Sequence, residues 1–192
     1  MADLLDVRPV VLITGVSAAG KSTVAELLAR RFDRGVHVRG DVFRRMVVSG
    51  RHEMTSEPTD EAWSQLRLRY RLGATTADAY HDAGFAVVVQ DVVIGRSPAR
   101  DGGPVLAEYV AAIRSRPLVV VVLAPRVEIV AEREAGRAKT AYSPEYDSIE
   151  ALDRALREEP RIGWWLDNSD QEPAETVDTI IERGLDLGAV HR

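Results

Sequence analysis

The chain has 192 residues, a formal net charge of −5 at pH 7 and 45% hydrophobic residues, enough for one α/β domain with a substantial core. It contains no cysteine, which excludes a disulfide framework and a thiolate metal site. No apolar run approaches membrane-spanning length and no leader-like segment opens the chain, so a cytoplasmic protein without a membrane partner is expected; the acidic balance makes nucleic acid an unlikely partner but leaves room for a local basic cleft.

The first apolar run, Val10 to Thr14, leads into Gly15-Val16-Ser17-Ala18-Ala19-Gly20-Lys21-Ser22, and a helical pattern over 21–32 follows. This is GxxxxGKS in its setting of strand, loop and helix. Gly15 and Gly20 permit backbone angles that a side chain would block, and the loop through Ser17, Ala18, Ala19 and Thr23 can turn successive N–H groups toward an anion. The helix that follows adds its positive end. Lys21 can reach the outer phosphates of a nucleotide and the Ser22 hydroxyl can ligate Mg²⁺, so ATP and Mg²⁺ are the expected cofactors.

The second run, Val36 to Arg39, ends at Gly40-Asp41, before a helical pattern over 41–49. Two roles fit Asp41: a helix N-cap, or a carboxylate in the cleft that accepts the proton of an attacking hydroxyl. Arg44 lies one helical turn further on and can hold an anionic group or the migrating phosphoryl. A long helical pattern over 60–82 carries Arg67, Arg69 and Arg71; Arg67 and Arg71 share a face, read as solvated or as a wall of the substrate site. The third run, Phe85 to Asp91, is apolar until Gln90-Asp91, as a Walker B strand is, and Asp91 sits near Mg²⁺ or faces substrate.

Helical patterns follow over 104–115, 126–137, 148–159 and 173–187, with apolar runs at Leu118 to Leu123 and, more weakly, Gly163 to Asp167. Arg133 and Arg137 are four apart on one helical face, with Glu132 and Glu134 interleaved; a charged surface helix fits them, and so does a lid over 126–142 of the kind that closes over the phosphates of a P-loop kinase. The turn after Asp167 precedes a helix that starts with Pro173; a base-binding loop that includes Asp167 and a plain strand-to-helix connection both fit it. Strands that alternate with helices imply one three-layer α/β/α domain around a five-stranded parallel sheet, with ligands at the carboxyl ends of the strands.

Gly15 to Ser22, Gly40-Asp41, Gln90-Asp91, the segment Glu132 to Tyr142 and the tail Asp167 to Val177 together resemble the small P-loop kinases of the nucleoside-monophosphate-kinase superfamily, in particular the chloramphenicol phosphotransferase-like group. Gluconate and adenylylsulfate kinases share the loop and a Gly-Asp after the second strand, and polynucleotide 5′-kinases carry an Asp and an Arg spaced like Asp41 and Arg44. The resemblance implies the P-loop NTPase fold over a single domain, 1–192, with a lid around 126–142 and substrate-side helices around 41–82. It implies transfer of the ATP γ-phosphoryl to a hydroxyl of a small molecule, an antibiotic or a metabolite. Asp41, Lys21, Arg133 and Arg137 would be catalytic, and Asp41, Arg44 and Asp91 would face substrate. The alternatives are a polynucleotide or nucleoside 5′-hydroxyl kinase and a nucleotide-binding module without chemistry. Residues 42–84 carry no substrate fingerprint, so the acceptor, like the oligomeric state, stays unassigned.

Overall fold

The computed structural model describes residues 4–96, 103–136 and 148–190. After a short 3₁₀ turn at Leu4–Asp6 the strands are β1 (Val10–Thr14), β2 (Gly35–Arg39), β3 (Ala86–Gln90), β4 (Leu118–Leu123), β5 (Trp164–Leu166) and β6 (Ala189–Val190). The helices are α1 (Lys21–Ala29), α2 (Gly40–Met46), α3 (Asp60–Asp82), α4 (Val105–Ala112), α5 (Val127–Ala135), α6 (Ile149–Arg157) and α7 (Pro173–Gly188). The sheet runs β2-β3-β1-β4-β5, all parallel.

The elements follow from local chemistry. Every residue of β1, β3 and β4 is buried, and runs of Val, Leu and Ile suit strands covered on both faces. Helix α1 lays Val24, Ala25 and Leu28 on one side of the sheet, and α4 contributes Leu106, Tyr109 and Val110 to the same continuous core. Helix starts are marked by side chains: Thr59 Oγ1 accepts the Ala62 N–H at α3, and Ser148 Oγ accepts the Ala151 N–H at α6. Glu172 and Glu175 form a reciprocal capping box around Pro173 at α7.

The chain passes from β1 to the edge strand β2, returns to insert β3 between the two, and then crosses β1 to add β4 and β5 on the other side. The carboxyl end of β1 is therefore the topological switch point, where an open α/β sheet offers a crevice. The five-stranded parallel sheet expected from the sequence is present, with one addition. β6 pairs antiparallel with Leu118–Val119 of β4, below the short β5, which pairs only with Val121–Leu123. Two residues show no periodicity, so this strand had no signature in the sequence.

The start of α2 is set by a close approach. A Cβ built on Gly40 would stand 1.8 Å from Asp91 Oδ2, so the carboxylate at the end of β3 packs directly on the glycine backbone. Gly40→Ala is expected to push that carboxylate aside and to destabilise the protein by about 1–3 kcal/mol, the usual effect of overpacking. Gly136→Ala, where the nearest atom to a Cβ is 3.7 Å away, should change stability by less than about 0.5 kcal/mol. Urea unfolding measures both; equal stabilities would mean that the Asp91 carboxylate has room to yield.

Candidate active site

The loop after β1 has the shape its motif requires. Gly15 has φ +144° and its α-carbon faces the Leu123 carbonyl, where a Cβ would come within 2.4 Å; Ala18 and Gly20 also have positive φ, at 63° and 95°. Lys21 opens α1 yet is buried, and its Nζ donates to the Val16 carbonyl at 2.7 Å, so the side chain folds back along the loop. Ser22 and Thr23 are exposed beside it.

One cavity of about 1280 Å³ joins this loop to the ends of β2 and β3. Ser17, Ala18, Gly20, Lys21, Ser22 and Thr23 line it, and so do Asp41, Arg44, Arg69 and Asp91. Phe43, Met54, Trp63, Leu66 and Ile94 add an apolar lining to the same space. Asp41, Arg44 and Asp91, singled out from sequence, thus line the same cavity as the phosphate loop.

Asp41 does not cap a helix. α2 starts at Gly40, its N-cap is Arg39, and no side chain bonds the free N–H groups there. The Asp41 carboxylate instead accepts Arg44 Nε at 2.8 Å on Oδ1, and Arg45 Nη2 lies 2.6 Å from Oδ2. Burial raises the Asp41 pKa, the Arg44 hydrogen bond and the Arg44 and Arg45 charges lower it, and the cations prevail, so the group lies below its ordinary value. Arg44 also donates to both oxygens of Glu53, at 2.6 and 2.7 Å. That anion was absent from the sequence reading, and it occupies part of the guanidinium assigned to an anionic ligand.

Asp91 is engaged more completely. Its side chain has no exposed surface; Oδ2 accepts Arg69 Nε at 2.8 Å, and Oδ1 accepts the Val92 N–H at 2.7 Å and pairs with Arg69 Nη2. Arg69 is the residue the sequence reading passed over. Of its helical neighbours Arg67 and Arg71, which share a face, Arg71 is exposed and Arg67 approaches Glu108 at 4.0 Å. Arg69 follows the buried Leu66 by three residues and adjoins the buried Tyr70, so helical spacing alone places it at the edge of the inward face. Its side chain is 15% exposed.

Of the two arginines expected in a lid, Arg137 lies outside the described residues. Arg133 lines the cavity, and its Nη2 donates to the Asn168 carbonyl at 2.9 Å while its buried Nη1 has no hydrogen-bond partner. Asp167, read as nucleotide-binding, is turned into its own loop, where Oδ1 accepts the Ser169 N–H at 2.9 Å and the Ser169 hydroxyl. The next residue, Asn168, takes the position by the phosphate loop. It is 2% exposed, its Nδ2 donates to the Ala19 carbonyl at 3.2 Å, and its Oδ1 is unsatisfied. The only sequence signal for Asn168 was its place at a strand end.

The unsatisfied Arg133 Nη1, with Lys21 and the N-terminus of α1, makes a site whose donors fit the phosphates of a nucleoside triphosphate. Among the described residues no group of three His, Asp or Glu could hold a metal. Ser22 in the cavity fits the sparse protein ligation of Mg²⁺, which takes phosphate oxygens and water for the rest. Among the described residues no helix is long and apolar enough to cross a membrane.

A family described as an AAA domain matches residues 10–160. No curated protein matches the chain. Among solved structures, the fold is similar to that of a sugar kinase from Janibacter sp. HTCC2649, at 19% identity over 96% of this chain and 100% of that one, with a TM-score of 0.65. It is also similar to the APS kinase of Mycobacterium tuberculosis in complex with AMPPNP and APS (16% identity, 91% of this chain and 95% of that one, TM-score 0.60). A gluconokinase from Sinorhizobium meliloti 1021 matches at 20% identity over 91% of this chain and 90% of that one, with a TM-score of 0.57. At these identities the likeness establishes a fold shared with P-loop kinases.

Proposed function

The chain belongs to the AAA domain family, and we propose that it is a Mg²⁺- and ATP-dependent phosphotransferase that phosphorylates a hydroxyl of a small molecule. The observation that carries this reading is that the phosphate loop and Asp41 line one and the same cavity. The proposal takes 1–192 as one kinase domain, with 126–142 as its lid and 41–82 as its substrate side, and places it in the chloramphenicol phosphotransferase-like group. The wall of Phe43, Met54, Trp63 and Leu66 suits an acceptor with an apolar body, an antibiotic or a metabolite, better than a nucleic-acid strand.

In this reading Lys21 and the loop N–H groups hold the β- and γ-phosphates, and Ser22 contributes a ligand to Mg²⁺. When bound, Mg²⁺ neutralises charge on the phosphate oxygens. Asp41 orients the acceptor hydroxyl and takes its proton as the new oxygen–phosphorus bond forms and the bond to the ADP oxygen breaks; the proton then passes to solvent. Arg133 places its unpaired N–H toward the transferring group, and Arg137 is assigned the same duty from its spacing. Arg44, paired with Asp41, completes the acceptor side, while Asp91, expected there from sequence, is buried against Arg69.

The test is ADP formation from MgATP in the presence of a panel of hydroxylated acceptors that spans neutral aromatic alcohols, sugars and oligonucleotide 5′ ends. Acceptor-dependent turnover with a small molecule is the expected result; turnover only with the oligonucleotide would move the protein to the 5′-hydroxyl kinases, and binding without turnover on any acceptor would leave a nucleotide-binding module. The lid reading makes a separate prediction. Amide exchange across 126–136 should slow when an ATP analogue and acceptor are added, as Arg133 closes over the phosphates. Unchanged exchange in a protein that binds the analogue would remove the lid.

A further inference from the structure

We infer that Asp91 and Arg69 act as one positioning unit that sets Asp41 against the acceptor, and that Asp91 serves this pair instead of ligating Mg²⁺. The inference rests on the kinase reading for its kinetic part.

The geometry is a three-way junction. The Asp91 carboxylate ends β3, the Arg69 guanidinium comes from the middle of α3, and Gly40 begins α2 one residue before Asp41. The carboxylate sits between the other two: Arg69 Nε reaches Oδ2 at 2.8 Å, and the same oxygen lies where a Cβ on Gly40 would be. The adjoining Tyr70 fixes α3 to the same strand end, donating to the Val92 carbonyl at 2.9 Å and stacking on Tyr109 at 4.8 Å between ring centroids. Arg69 and Tyr70 thus tie α3 to the end of β3, and the pair in turn supports the turn that presents Asp41. Arg69 also lies close enough to Asp41 and Arg44 for their charges to act on it.

The same contacts disfavour a metal ligand. A carboxylate offers about four lone-pair sites. Here they accept two guanidinium N–H groups and one backbone N–H. A divalent cation on Asp91 would have to displace a buried guanidinium or lie against it, cation to cation. Ser22, exposed in the cavity, has no such obstacle.

The test uses Asp91→Asn, Arg69→Met and the double variant, each checked for folding by urea unfolding. The first readout is the Mg²⁺ concentration needed for tight binding of a non-hydrolysable ATP analogue, measured by calorimetry. It should stay within about twofold of the parent in all three variants, the agreement found for groups that do not interact. The second is kcat at saturating MgATP and acceptor. It should fall by about tenfold in each single variant and no further in the double, because the members of a contacting pair do not contribute independently. If Arg69→Met does not fold, Arg69→Lys replaces it in the cycle, and a kcat above that of Asp91→Asn is then expected, since a cation still faces the carboxylate. A Mg²⁺ requirement raised tenfold or more by Asp91→Asn and untouched at Arg69 would make Asp91 a metal ligand and overturn the inference. Losses that multiply in the double variant would overturn the unit. The calorimetric arm needs only nucleotide binding, so its outcome is separate from that of the kinase reading.

Discussion

Replacing Lys21 by Ala should weaken binding of MgATP by about 10- to 100-fold, the worth of one or two charge-assisted hydrogen bonds. Turnover should fall further, by at least about 10²-fold, because the same cation faces charge on the phosphoryl oxygens during transfer. Lys21 is 7% exposed, sits at the first turn of α1, and donates from Nζ to the Val16 carbonyl. The loop carbonyl holds the ammonium beside the place where phosphates would bind, so little side-chain entropy remains to be lost on binding. Calorimetry with MgATP and a steady-state assay check both parts. A folded variant with parental affinity and rate would remove the phosphate-loop assignment and the function built on it.

Asp41→Asn should lower phosphoryl transfer by ~10²–10⁴-fold, the usual contribution of general-base help, while MgATP affinity changes by less than about threefold. The substitution is informative here because Asp41 caps no helix; the N-cap of α2 is Arg39. Any loss therefore cannot be charged to a missing cap. Asn does forfeit the ion pairs to Arg44 and Arg45, which are partly exposed, at 36% and 63%, so the stability change should stay within about 1 kcal/mol. The pH dependence has a definite sign. The folded protein holds the Asp41 pKa below the ordinary aspartate value, so the carboxylate stays ionised as the pH falls and its contribution is lost only in the acid range below that value. The wild-type rate should lose this contribution there, and the Asn variant should lack that limb. A variant rate within about threefold of the parent, far short of a general-base effect, would defeat the catalytic role of Asp41.

Much of the site was readable because its chemistry is contiguous. Gly15 to Ser22 carries its own explanation: two glycines, a lysine and a hydroxyl at fixed spacing between a strand and a helix. Asp41, Asp91 and Arg133 follow from a simpler rule, that residues at strand ends and in a segment expected to form a lid face the crevice, and all three line one cavity. The same rule led to Asp167, whose carboxylate instead holds Ser169, while Asn168 beside it meets the phosphate loop. A rule that works by position along the chain cannot choose between neighbours whose side chains leave a turn in different directions.

What the sequence by itself determined is the layered architecture and the anion cradle. Strands buried on both faces need unbroken runs such as Leu118 to Leu123, and no partner has to be known to recognise them. Tertiary structure alone decided the pairings. Arg69 meets Asp91 across 22 residues and Asn168 meets Ala19 across 149. Gly40 is a glycine because a carboxylate from another strand lies on it, and Ala189–Val190 is a strand because β5 leaves part of an edge of β4 open. A charge or a glycine in a sequence states a capacity; which group satisfies it depends on which elements the sheet order brings side by side, and that order is an outcome of packing the whole core.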